Sequence, residues 1–154
     1  MKGTLNMADV GEIHRAIWRL KAEWFLAIDE KRWDDFAKFF TENPRIDYSR
    51  AVPESSDPFP EIPSIEAYIA IAKQYVGSAQ TVHQGSVPII DVIAPDHAKA
   101  RWRMEDIVVR PAGSEWPSTH GYGFYDDEYR LTSDGWRISA LTFTRLLTLP
   151  IATS

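Results

Sequence analysis

The chain has 154 residues, 44% of them hydrophobic, which is the size of one ordinary domain and enough to bury a core. Seventeen Lys and Arg against 22 Asp and Glu give a formal charge of −5 with no basic run, which argues against nucleic acid and anionic membrane as partners. There is no cysteine, so disulfides, thiolate nucleophiles, Cys-ligated zinc and iron–sulfur clusters are excluded, and chemistry must come from His, carboxylate, Tyr or Ser/Thr side chains.

The opening MKGTLNMADV lacks the apolar stretch of a secretory signal, and apolar runs such as Trp24 to Ile28 are too short to span a bilayer. A soluble, cytoplasmic protein is expected. From Ala8 onward Ile13, Ile17, Leu20, Trp24 and Ile28 recur at three- and four-residue steps with Glu12, Arg15, Arg19 and Lys21 between them, which predicts an amphipathic helix of about six turns. A second short helix is predicted over Trp33 to Phe40, with Phe36, Phe39 and Phe40 as its apolar face and Pro44 as its stop. Arg45 to Tyr48 reads as a short strand. Pro53, Pro58, Pro60 and Pro63 with Ser55 and Ser56 then mark a loop, the one segment suited to act as a lid. Ser64 is placed to cap a third helix containing Ile65, Glu66, Tyr68, Ile69, Ile71 and Ala72, which Gly77 ends.

The second half changes character. Four strand-like runs are expected at Ala79–Ile93, Ala98–Val109, His120–Leu131 and Trp136–Leu147, the last two joined as a hairpin at Ser133-Asp134-Gly135. In the second run Lys99, Arg101, Arg103 and Glu105 point one way while Ala98, Ala100, Trp102, Met104 and Val108 point the other, so one sheet face is wet and the other buried. Helices followed by long antiparallel strands imply an α+β fold, with N-terminal helices packed on a curved, mostly antiparallel sheet in one domain over residues 1–154.

Six Trp, six Tyr and seven Phe make the chain 12% aromatic, which fits either large-residue packing with an oligomer interface or an aromatic-walled pocket for a flat or cyclic ligand. Within Thr81-Val82-His83-Gln84-Gly85, an imidazole in a mostly buried sheet is either quietly hydrogen-bonded or poised as a base. Asp29 ends the first helix one turn beyond Phe25; it is either a solvated helix-end acid or, since the helix dipole disfavours acids there, a group with another task. Arg145 sits among apolar neighbours in the last strand and needs a partner. Either a salt bridge at a subunit interface or an acidic or carbonyl substrate would supply one. Trp24 and Trp102 are core residues that can also wall a pocket, and His14 and His97 read as surface histidines.

Ile28-Asp29-Glu30-Lys31-Arg32-Trp33, then Arg45-Ile46-Asp47-Tyr48, then His83, and finally Tyr129-Arg130-Leu131 through Gly135-Trp136-Arg137-Ile138 together resemble scytalone dehydratase of the SnoaL-like, nuclear-transport-factor-2-like superfamily. The likeness covers nearly the whole chain. It implies a cone-shaped α+β barrel that admits a small cyclic substrate, uses no metal and no organic cofactor, and assembles as a homo-oligomer, a trimer or a dimer. It further implies His83 as general base, Asp29 as the group that holds its tautomer, and Tyr48 as hydrogen-bond donor to the substrate carbonyl. The family's second histidine, the donor to the leaving hydroxyl, falls here near Val108, and its polar Ser/Asn pair falls on Gly123 and Tyr125. His120, Tyr122 and Tyr125, with Asp106, Trp24, Trp102 and Arg145, are the candidates to line the substrate site in their stead. The activity implied is a carbon–oxygen lyase, with isomerase, polyketide cyclase, dehydrohalogenase and non-catalytic receptor as the alternatives.

Overall fold

The first helix, α1, occupies Met7–Asp29 in a computed structural model that describes residues 6–51, 59 and 61–152. Its start is a reciprocal cap, in which Asp9 N–H donates to Asn6 Oδ1 at 3.0 Å and Asn6 N–H donates to Asp9 Oδ2 at 3.2 Å. Its end is equally specific: Arg32 N–H bonds Ala27 O at 2.8 Å and Lys31 N–H bonds Ile28 O at 3.1 Å, with Lys31 left-handed at φ 58. These paired bonds satisfy the last carbonyls and turn the chain sharply after Asp29. Ile13, Ile17, Trp24 and Ile28 form the buried stripe, as their spacing predicts.

The second helix is a 3-10 helix, Trp33–Phe39, and β1 spans Phe40–Arg50. Pro44 is therefore not a helix stop. It lies inside an edge strand where the register slips between Phe40 and Arg45, a place where a missing N–H costs no ladder bond. Helix α2, Ile65–Val76, carries the predicted cap, with Ala67 N–H donating to Ser64 Oγ at 3.2 Å. Gly77 follows it, in right-handed rather than left-handed backbone geometry. Most of the expected lid loop, with Pro53, Ser55, Ser56, Pro58 and Pro60, lies outside the described residues.

The four long strands are β2 (Gln80–Ala94), β3 (His97–Val109), β4 (Thr119–Thr132) and β5 (Gly135–Pro150), in the order β1-β5-β4-β3-β2. Only β1 with β5 is parallel. The sheet is open, with β1 and β2 as its edges, and the helices cover one face of it, α1 chiefly over β2 and α2 over β1. Inward on β3 are Ala98, Ala100, Trp102, Met104 and Val108, while Lys99, Arg101 and Arg103 are exposed, as the alternation predicts. Gly85 lets α1 seat closely on β2, since a Cβ there would come 2.5 Å from Phe25 Cε2. Among the described residues no helix is long and apolar enough to cross a membrane.

One residue of α1 departs from its pattern. Lys21, expected on the polar face, is fully buried, with Nζ 2.8 Å from Asp127 Oδ2 and neither side chain exposed. The ammonium lies 4.0 Å from the Trp24 ring centre and 4.1 Å from that of Tyr125. Tyr129 O–H donates to the same carboxylate at 2.6 Å, and Trp102 Nε1–H donates to Tyr129 at 3.0 Å. Burial lowers the Lys21 pKa and Asp127 pulls it back up. Leaving either charge unpaired should be severe: Lys21→Met or Asp127→Leu alone should cost about 3–5 kcal/mol in urea unfolding, whereas the double variant should lose less than either single one. Additive losses would show that the two groups are not a pair in solution.

Candidate active site

Three backbone neighbours on the inner face lay out the site. His83 on β2 stands opposite Asp106 on β3, and Asp106 stands opposite Gly121 on β4. The end of α1 brings Asp29 down onto this row. Its Oδ1 lies 2.7 Å from His83 Nδ1 and accepts Thr81 Oγ1–H at 2.8 Å, while Oδ2 accepts the His83 backbone N–H at 2.8 Å. Lys31, folded back by the left-handed turn, donates to Thr81 Oγ1 at 2.7 Å, so the threonine hydroxyl can only point its proton at Asp29. Burial pushes the Asp29 carboxyl up, but hydrogen bonds from the His83 ring and main chain, with Thr81, outweigh it and hold the group below the ordinary aspartate value. An ionised, acceptor-only Asp29 assigns the imidazole proton to Nδ1 and leaves the His83 Nε2 lone pair as the free base.

His83 lines a cavity of about 500 Å³ whose walls include Ile28, Tyr48, Tyr68, Val108, Tyr125 and Phe143. The Tyr48 and Tyr68 hydroxyls are 2.7 Å apart. Burial, the first cause for each, drives the Tyr48, Tyr68 and Tyr125 hydroxyls well above the usual phenol pKa, so all three are neutral donors. Arg145 closes the floor of the cavity: Nη1 and Nη2 meet Asp106 Oδ1 and Oδ2 at 3.0 and 2.8 Å. The carboxylate that satisfies it is therefore in its own chain and not across a subunit interface. Gly121 makes room for this fork, because a Cβ at that position would collide with both the Arg145 guanidinium and the Asp106 carboxylate.

The remaining candidates fall elsewhere. Trp24 and Trp102 are core residues behind the wall, Trp24 meeting Tyr125 edge-on at 5.1 Å, and neither lines the cavity. His120 and Tyr122 are on the opposite face of β4, because Gly121, Gly123 and Tyr125 take the inward positions. There His120 pairs with Glu105 and lies 4.8 Å from the Tyr122 ring. His97 sits 3.5 Å from Glu128. Tyr68, Tyr75 and Arg110 line the cavity without having been singled out from the sequence. For Tyr68 and Tyr75 the signal was present, since they are seven residues apart on α2 and so share one face of it. Among the described residues no three His, Asp or Glu side chains converge as a metal site.

The SnoaL-like domain model matches residues 11–142. In fold, the chain is similar to a provisionally assigned scytalone dehydratase from Novosphingobium aromaticivorans, with 20% identity, a TM-score of 0.75, and 96% of this chain and 94% of that one covered. It is also similar to a hexachlorocyclohexane dehydrochlorinase from Novosphingobium barchaimii, with 15% identity, a TM-score of 0.77 and coverage of 96% and 95%. A Kribbella flavida protein aligns at 23% identity and a TM-score of 0.74 over 88% of this chain and 92% of its own. At these identities the structures establish the cone-like α+β fold alone, while the family model covers every element from within α1 to within β5, so the chain belongs to the SnoaL-like domain family.

Proposed function

We propose that the protein is a cofactor-independent lyase, dehydratase-like in chemistry, which takes a proton from the carbon next to a carbonyl of a small cyclic substrate. The observation that carries this reading is the imidazole of His83, held 2.7 Å from Asp29 at the wall of a cavity that Tyr48, Phe59, Tyr68, Tyr125 and Phe143 also line. Nε2 removes the proton, and the imidazolium that forms is stabilised by Asp29, which stays ionised. The electron pair of the broken C–H bond moves into an enolate, whose oxygen accepts the Tyr48 hydroxyl hydrogen. Tyr68 donates to Tyr48 in turn, since a phenol has only one proton to give. Collapse of the enolate expels a leaving group at the adjacent carbon.

Val108 lines the cavity where a second histidine would donate to a departing hydroxide, and a valine has no proton to offer. Dehydration would then draw its acid from Tyr125. The same observation favours a second reading, in which the leaving group is a halide, which departs as a stable anion, or in which nothing leaves and the proton returns at another carbon. A purely receptor-like role needs no base, and the three hydrogen bonds that fix Asp29 beneath His83 speak for a catalytic one. We further propose a cytoplasmic homo-oligomer, a trimer or a dimer, supported by exposed Val87, Ile89 and Ile93 on β2 and Leu149 on β5. Light scattering at micromolar concentration should exceed the monomer mass of 17.6 kDa; a monomer would remove that part of the proposal.

Deuterium exchange at the carbon next to the carbonyl of bound cyclic ketones tests the base directly. His83→Ala should lose about 10²- to 10⁴-fold in exchange rate with ligand affinity retained, and Tyr48→Phe should lose less. Undiminished exchange in His83→Ala would refute the assignment, and no exchange in the wild type with several well-bound ketones would favour a receptor. Asp29→Asn should cripple exchange in a folded protein, because an amide can present N–H to Nδ1 and hold the wrong tautomer. Its stability should also respond to acid differently. A carboxyl held below its ordinary value of 3.8 contributes stability above that pH and loses it as pH falls through the lower folded value. Acid titrations of unfolding should therefore show a shallower loss below pH 3.8 in Asp29→Asn than in the wild type.

A further inference from the structure

We propose that Arg110 is an anion-recognition residue at the far end of the cavity, and that the natural substrate is an elongated cyclic acid bearing a carboxylate remote from the reacting carbon. This rests on the ring-binding reading of the cavity given above and adds a substrate class to it.

Apart from the tyrosines, four titratable side chains line the cavity: His83, Asp106, Arg110 and Arg145. Three are compensated, His83 by Asp29 and Arg145 by Asp106 in a bidentate fork. Arg110 is the exception. Among the described residues its polar contacts are all neutral, Nε–H donating to Pro117 O at 3.0 Å and Nη1–H donating to Tyr75 O. The one influence on its pKa is burial, which lowers it, and no carboxylate pulls it back up. A guanidinium has five N–H donors, so three are left over, including both on Nη2. The group is nonetheless fixed, with its centre 5.2 Å from the Trp116 ring and its backbone N–H bonded to Ser118 Oγ at 2.9 Å. A held cation with unused donors is suited to bidentate capture of a carboxylate.

The lining between the two ends shows what lies between the acid and the reacting carbon. Arg110 directly follows β3, four residues beyond Asp106, the cross-strand neighbour of His83, and so lies roughly 13 Å farther in the strand direction. Stacked rings connect the ends: Tyr48 on Phe59 at 5.5 Å, Phe59 on Tyr75 at 5.5 Å, and Tyr75 on Trp116 at 4.7 Å with 12° between planes. Such a wall takes a flat, extended aromatic or polycyclic body, and the cation at its end takes the charge.

Two rigid probes test the assignment, 4-acetylbiphenyl and 4′-acetylbiphenyl-4-carboxylate, titrated calorimetrically into wild type, Arg110→Gln and Arg110→Lys, with thermal unfolding run beside them. The wild type should bind the carboxylate roughly 10- to 100-fold more tightly than the neutral ketone. Arg110→Gln should reduce that preference to within about twofold and leave the neutral ketone's affinity unchanged, and Arg110→Lys should keep part of it, as a point charge without the fork. Equal binding of the two ketones by the wild type, or a preference that survives in Arg110→Gln, would overturn the proposal and leave the catalytic reading intact. Equal weakening of both ketones by Arg110→Gln would also overturn it, making Arg110 a tie between loop and strand. Binding of neither ketone by the wild type would overturn the ring-binding reading itself, and this inference with it.

Discussion

The carboxylate of Asp29 is the joint on which the site depends, because it is the last residue of α1 and takes three hydrogen bonds from β2. A helix C-terminus is electrostatically a poor place for an anion, since the partial charge of the free carbonyls opposes it. Here the opposition is answered locally. Paired main-chain bonds from Lys31 and Arg32 occupy the final carbonyls, and the donors of Thr81 and His83 face the carboxylate. The same contact thus does two things. It anchors the longest helix to an edge strand, and it fixes the imidazole in one tautomer with one orientation.

A second polar centre lies deeper, and its distribution of charge complements the first. Lys21 and Asp127 are buried together under Trp24 and Tyr125, so the wall of the cavity rests on an ion pair rather than on hydrocarbon alone. Tyr125 belongs to both: its ring packs on the Lys21 ammonium, and the residue also lines the cavity. A buried pair of this kind adds little net stability compared with apolar residues of equal volume, but it penalises any packing that separates its members. It therefore constrains how α1 lies across β4, and with it where Asp29 arrives.

How much of this was legible in the sequence follows from which physical signal each residue carried. The boundaries of β2 to β5, sheet alternation and the end of α1 follow from periodicity and turn chemistry, and they were read within a few residues, whereas β1 begins five residues before the expected Arg45. The dyad was read from a resemblance, since neither His83 nor Asp29 alone separates a base from a satisfied side chain. Pro44 misled because proline stops helices in general but is tolerated on edge strands, and edge position is a tertiary fact. Lys21 misled for a similar reason, as a lysine between apolar positions looks solvated until a carboxylate from a distant strand meets it. His120 and Tyr122 were legible in principle: the parity that buries Tyr125 sends even-numbered residues of β4 outward. Arg145 was correctly read as needing a partner, but only the cross-strand row identifies Asp106.

That row also sets a second carboxylate beside the proposed base. Asp106 is the direct cross-strand neighbour of His83, and an unpaired anion there would compete with Asp29 for the imidazole. The fork from Arg145 removes that competition by neutralising Asp106 with both of its oxygens engaged. Gly121 is what permits the fork, since any side chain on β4 at that point would push the guanidinium off the sheet. Asp29 is then the carboxylate hydrogen-bonded to His83, and the Tyr48, Tyr68 and Tyr125 hydroxyls of the same cavity are neutral. In the proposed reaction, a proton taken from carbon would rest on the imidazole beside Asp29, and the enolate's charge would be left to the neutral hydroxyl of Tyr48.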